Sequence, residues 1–179
     1  VAKLLYTLAL GLIGAVIVHL TILLLVLPYS SSLLWSRLIR ETTPWHFVDL
    51  PAANPIRKTA DPFFRLQLCR FNLEESPARL TAAGNVPFWS LSIYTQRGEN
   101  IYSINSHTAP GGVLDMIAVS PLEMMDFKHN LPPAYAGSAV TALNDGNNFA
   151  VLRALLPSPD WQEQVAGFFA SAKCRSAEY

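Results

Sequence analysis

The chain has few cysteines, no surplus of either charge, and none of the local signatures that mark common catalytic or cofactor sites. Its 13 basic residues are balanced by 13 acidic ones. No basic excess exists to hold a phosphate backbone, so no nucleic-acid partner is expected. The aromatic residues fall in alternating, strand-like runs and not beside Lys/Arg clusters. There is no Walker loop, no dinucleotide fingerprint and no His-Glu-x-x-His pair. The two cysteines lack metal-ligand spacing and the four histidines are scattered. No catalytic residue, metal site or cofactor is therefore expected. Repeats and low-complexity tracts are also missing.

What is present begins with a long apolar run. Leu4 to Leu27 is a 24-residue stretch without a formal charge. As a helix it is roughly 36 Å long, enough to cross a hydrocarbon core of ~30 Å. A cleavable signal peptide has a shorter apolar region, about 7–15 residues, and a small-x-small cleavage site. Leu27-Pro28-Tyr29-Ser30 is a poor one. Residues 1–29 are thus expected to be a transmembrane anchor. Arg37 and Arg40 follow the run and only Lys3 precedes it. That count mildly favours a cytoplasmic C-terminal domain, but it carries little weight in a chain that opens with Val. Thr7, Gly11, Ala15 and His19 form one stripe of the helix. Small residues admit a second helix closely, and a polar side chain in lipid seeks a partner. The stripe is a candidate interface for an integral membrane partner or a second copy. The plainer alternative is that Gly and Ala are common in membrane helices and His19 meets headgroups or water.

Residues 30–60 suggest an interfacial helix and a linker. Ser30-Ser31-Ser32 could cap a helix over 33–41 lying at the bilayer surface, and Pro44, Pro51, Pro55 and Pro62 suit an extended connector. Residues 61–179 carry mainly strand signals. The segments 63–73 and 113–119 are strand candidates. Residues 86–95 and 100–105 pattern as a hairpin turning at Gly98, with Phe88, Ser90, Ser92 and Tyr94 on one face and Trp89, Leu91 and Ile93 on the other. A second hairpin is expected from 139–143 and 149–156. Ser120-Pro121-Leu122-Glu123 has the pattern of a capped helix start. Asp160 is expected to cap a final helix that ends at Cys174, with Trp161, Val165, Phe168 and Phe169 inward. The predicted class is mainly β (α+β): an antiparallel, β-sandwich-like domain with peripheral helices, preceded by one transmembrane helix.

Cys69 and Cys174 admit two readings, a disulfide or two buried thiols. An even count favours the bond, which in the chain-entropy model stabilises by roughly 4.7 kcal/mol for a loop of about 100 residues. It would also favour a periplasmic domain. For chemistry, Ser103, Ser106, His107 and Asp115 are the best fragment of a Ser-His-Asp set, but no Gly-x-Ser-x-Gly turn accompanies them. Asp145-Gly146-Asn147-Asn148 lacks calcium-loop spacing and suits a turn.

The stretches DPFFRLQLCRFNL (61–73), PFWSLSIYTQRGENIYSIN (87–105) and PSPDWQEQVAGFFASAKC (157–174) resemble short membrane-anchored bacterial proteins of domain-of-unknown-function family 1254. The likeness spans roughly residues 60–174. It implies an exported, β-sandwich-like domain of a Gram-negative, alphaproteobacterial cell, anchored in the inner membrane and facing the periplasm. The two cysteines stand where the family's pair is expected. Longer relatives carry a family 1214 module in the same chain, so a separate protein of that family is a further partner expectation. No catalytic residue follows from the resemblance. The leading functional expectation is a single-pass accessory or structural subunit: its helix packs in a membrane assembly, in contact with the lipid bilayer, and its periplasmic domain makes protein contacts. The alternative is a periplasmic binding module for a lipid, sugar or envelope polymer. For that reading Trp89, Tyr94, Tyr102 and His107 are the candidate surface-binding residues. An enzyme is the third reading.

Overall fold

The structure is a computed structural model that describes residues 1–51, 53–130, 132–144 and 146–177, without the side chains of 26–34 and 128. Helix α1 runs unbroken over Ala2–Glu41. Its apolar part, Ala2–Leu25, is long and apolar enough to span a membrane or to serve as a signal sequence, and none of it is buried within the chain. The separate helix expected to start after Ser30-Ser31-Ser32 is instead the continuation of α1, because the backbone stays helical across Pro28 and the serines.

Two sheets follow. The first contains β1 (Val48–Asp49), β2 (Phe64–Asn72), β4 (Trp89–Thr95), β5 (Asn100–Asn105) and β8 (Asn147–Leu155), in the order β1-β2-β8-β4-β5, all antiparallel. The second has the order β7-β6-β3-β9, built from β3 (Ala78–Ala82), β6 (Leu114–Val119), β7 (Ala139–Ala142) and β9 (Lys173–Ser176). Its β6 and β7 are parallel, joined through α3 (Pro121–His129) as parallel neighbours require a crossover. Ser120 and Glu123 form the capping box that starts α3. Between the sheets lies the main core. Leu91 and Ile93 of β4 meet Leu80 of β3 and Met116 of β6, and Phe168 of α4 (Gln162–Ser171) closes one side. α4 passes close to Gly84, where a Cβ would stand 3.2 Å from the Phe168 backbone.

β8 is the central strand of the first sheet and is covered on both faces, which explains its nearly continuous apolar sequence. Ala150, Leu152 and Ala154 enter the main core, and Phe149 and Val151 point to the opposite face. That outer face is covered by Trp35 and Leu38 of α1 and by Leu50, with Ile56 and Ala60 beside them. The Pro-rich segment expected to be a connector is therefore packed structure. Thr42 ends α1, its hydroxyl donating to the Leu38 carbonyl at 2.5 Å. Asn54 donates to Glu41 while its Oδ1 caps α2 (Pro55–Thr59) by accepting from Ile56 N–H at 2.8 Å. The end of α1, α2 and the sheet form one packed unit.

Three further expectations need correction. Residues 139–156 are not a hairpin: β7 belongs to the second sheet and β8 to the first, so their connection crosses between layers. Asp145 of that connection lies outside the described residues. Asp160 does not cap α4, which begins after a 3-10 turn with Trp161 at its cap position and no side-chain capping bond. The helix ends at Ser171, and Cys174 lies on the edge strand β9. Cys69 of β2 and Cys174 of β9 stand at disulfide distance, Cα to Cα 6.4 Å, and so face each other across the two sheets.

Candidate functional site: a cleft on the outer face of the first sheet

Strand parity decides where the candidate residues go. On β4, Trp89, Leu91 and Ile93 point into the main core, whereas Ser90 and Tyr94 point outward. Trp89 is 2 % exposed and donates its indole N–H to the Gly112 carbonyl at 2.9 Å. Tyr102 pairs directly with Ile93 and so shares its inward side, packing against the core. Tyr94 alone of the three aromatic candidates faces outward. The expected aromatic patch of Trp89, Tyr94 and Tyr102 is thus divided between the two faces of one sheet. His107 is exposed beyond β5 and lays its ring on Phe88, centroids 5.7 Å apart.

The outward face holds a cleft of about 570 Å³ between α2 and the sheet. One wall is the Tyr94–Phe149 stack, ring centroids 5.2 Å apart and planes within 13°. Opposite are Phe64 and Phe88, edge to face at 6.4 Å. Ile56, Leu66 and Val151 extend the apolar lining. The cleft adjoins the root of the long helix, because Trp35 of α1 lies against Phe149. Two charged residues border the cleft, Asp61 and Arg153. Asp61 accepts the Phe63 N–H at 2.9 Å within its own turn. Arg153 lies on the central strand between Leu66 of β2 and Ser90 of β4. Its guanidinium donates a long hydrogen bond, 3.4 Å, to the Tyr94 hydroxyl. No carboxylate among the described residues lies within 4 Å of it. Burial by itself raises the Tyr94 phenol, but the Arg153 hydrogen bond and charge bring it below its ordinary value.

Arg153 is the residue that the sequence reasoning missed. Its signal was visible: a single charge inside the apolar run FAVLRALL, at a position whose parity matches Phe149 and Val151.

The other candidates do not converge. Asp115 faces away from the main core and accepts from Arg79 through both oxygens, at 3.0 and 2.9 Å, and Arg79 also lies over the Tyr135 ring at 4.9 Å. Ser103 donates to Ser92 at 3.2 Å. The Ser-His-Asp set is therefore dispersed, with Asp115 in the second sheet and His107 beside the first. Among the described residues no three His, Cys, Asp or Glu side chains converge as metal ligands would. In the long helix, the Thr7 hydroxyl donates to the Lys3 and Leu4 carbonyls at 3.2 and 3.0 Å. Gly11, Ala15 and His19 are exposed along the same rod.

No protein-family model matches the chain, and no curated protein matches it either. Its fold is similar to that of the VPA0106 protein from Vibrio parahaemolyticus, known from a crystal structure, with a TM-score of 0.61 at 9 % sequence identity. The match covers 84 % of this chain and 36 % of that one. A structure of an uncharacterized protein from Burkholderia cenocepacia is more remote, with a TM-score of 0.47 at 12 % identity over 74 % of this chain and 34 % of the other. The chain thus spans about a third of each neighbour's length, and at 9 % identity the likeness to the Vibrio protein is one of fold alone.

Proposed function

We propose that this chain is a single-pass membrane protein whose β domain is a ligand-binding module of the periplasm, with the cleft beside Arg153 as its binding site. The observation that carries the reading is the cleft itself. It is concave, mostly apolar, has a few convergent polar groups, and falls within the roughly 300–1,000 Å³ typical of small-molecule sites. Its place at the root of α1 suits a ligand that comes from or goes to the membrane. The cysteine pair and the resemblance to family 1254 support the periplasmic side. A thiol-reactive or protease probe applied to intact spheroplasts should reach the domain, and full protection would refute that placement. The site is tested by extracting the full-length protein into lipid nanodiscs and identifying what small molecules co-purify. Ser90→Phe, which fills the cleft, should lose them. Equal retention by wild type and Ser90→Phe would refute the site.

A second reading, an accessory subunit of a membrane assembly, is favoured by one observation. Among the described residues, nothing buries the 24 residues Ala2–Leu25. The two readings are compatible, since a tethered binding module can also dock through its helix.

A further inference from the structure

The geometry points to the chemical class of the ligand: a single-chain amphiphile with a carboxylate head, its chain between the aromatic walls and its head on Arg153. This rests on the cleft being a ligand site and adds what the site selects. The Arg153 side chain is half-buried on a central strand between Leu66 and Ser90, so part of its hydration shell is displaced by the protein. Such a charge is costly unless it finds an anion or several hydrogen bonds. Here the protein gives it one long bond from Arg153 to the Tyr94 hydroxyl and no carboxylate within 4 Å among the described residues. Its planar fork matches a carboxylate in bidentate geometry. The hydroxyls of Ser90 and Tyr94 border the same cleft and could donate to a second lone pair. A carboxylate carries one charge and one arginine balances it. A phosphate monoester would bring about two negative charges into a cleft already bordered by Asp61. The remaining lining, with Phe64, Phe88, Phe149 and Val151, offers apolar contact and no further cation. A volume of about 570 Å³ lies in the small-molecule range and accommodates one chain more readily than two.

The test uses the full-length protein in phosphatidylcholine nanodiscs and two photo-crosslinkable probes of equal chain length, a fatty acid and the corresponding fatty alcohol. Labelling is read by intact-protein mass and mapped by peptide. The fatty acid should label peptides containing Phe64, Phe88 or Phe149 at least about tenfold more than the alcohol, the size expected for hydrogen bonds to a charged group. Arg153→Gln should reduce fatty-acid labelling to the alcohol level, and Arg153→Lys should retain part of the preference. Near-ultraviolet circular dichroism of each variant checks that the domain is folded. Equal labelling by both probes, unchanged in Arg153→Gln but abolished in Ser90→Phe, would overturn the carboxylate head and leave the binding cleft standing. No cleft labelling by either probe would overturn both, as would a nanodisc-embedded dimer whose crosslinks place a second copy in the cleft.

Discussion

Trp35, near the end of the long helix, lies against Phe149 of the central strand, ring centroids 6.3 Å apart and planes at 41°. Phe149 in turn stacks on Tyr94, which receives the Arg153 hydrogen bond. A continuous aromatic contact therefore joins the root of the helix to one wall of the cleft. The helix is part of the domain's outer layer, and its docking has a measurable energy.

Leu38 tests that docking. It is 1 % exposed against Leu50, Leu66 and Leu68, whereas its neighbour Ile39 is 43 % exposed. Truncating a buried leucine typically costs about 2–5 kcal/mol, and an exposed change stays within roughly 0.5 kcal/mol. Leu38→Ala should lower the chemical-denaturation midpoint of the reconstituted protein clearly, and Ile39→Ala should not. If both were silent, α1 would be a tether attached to an independent domain.

The cysteine pair makes a second prediction. The 6.4 Å Cα separation is within the range a disulfide spans. The bond would close a loop with a sequence separation of 105 and tie one sheet to the edge of the other. Non-reducing mass analysis after alkylation should show no free thiol, and Cys174→Ser should destabilise by about 2–5 kcal/mol. Two alkylated thiols in freshly isolated protein would show that the pair is a reduced core contact.

How much of this was legible in the sequence depends on whether the signal was local. The β4–β5 hairpin was, because residue alternation and the positive φ of Gly98 (84°) are properties of adjacent residues. So was α3, whose start is written in Ser120, Pro121 and Glu123. The pairing of β7 and β8 was not. They adjoin in sequence, yet β7 lies in one sheet and β8 in the other, and no local pattern distinguishes that from a hairpin. β1, β3 and β9 escaped because two to five residues give too few alternations, and β9 directly follows a helix. The misplaced aromatic patch is a different kind of error. The even spacing of Ser90 and Tyr94 already separated them from Trp89, so the parity needed to divide the patch was available.

Acid should test the second sheet. Burial raises the Asp115 carboxyl, but hydrogen bonds from Arg79 and Ser138 and the charges of Arg79 and Arg175 together outweigh it and hold the group below the usual carboxylate range. A folded-state value below the unfolded one, about 3.9, means the contribution is fully present above that pH and is lost as pH falls through the lower folded value. Asp115→Asn should therefore be less stable than wild type near neutrality. The gap should narrow as pH is lowered below about 4. A gap independent of pH would show that the pair acts through packing around Tyr135 and not through charge.

The exposed helix decides whether the chain acts alone. Thr7 satisfies its own hydroxyl within the helix, so the residues left to define an interface are Gly11, Ala15 and His19. If they pack against a neighbouring membrane helix, a bulky substitution overfills a close contact and costs about 1–3 kcal/mol of association. Loss of a His19 hydrogen bond costs less, on the order of 0.6 kcal/mol. Ala15→Leu should therefore weaken crosslinking or co-purification more than His19→Leu. Ile17 is 59 % exposed and off the stripe, so Ile17→Leu serves as the control. Each variant is normalised to its level in the membrane, and cleft labelling by the fatty-acid probe is followed in parallel. Because the substitutions lie more than a dozen residues from Trp35, cleft labelling should be unchanged while association falls. If Ala15→Leu and Ile17→Leu behave alike in association, the helix serves only to hold the cleft at the membrane, and the ligand-binding reading stands without the subunit one.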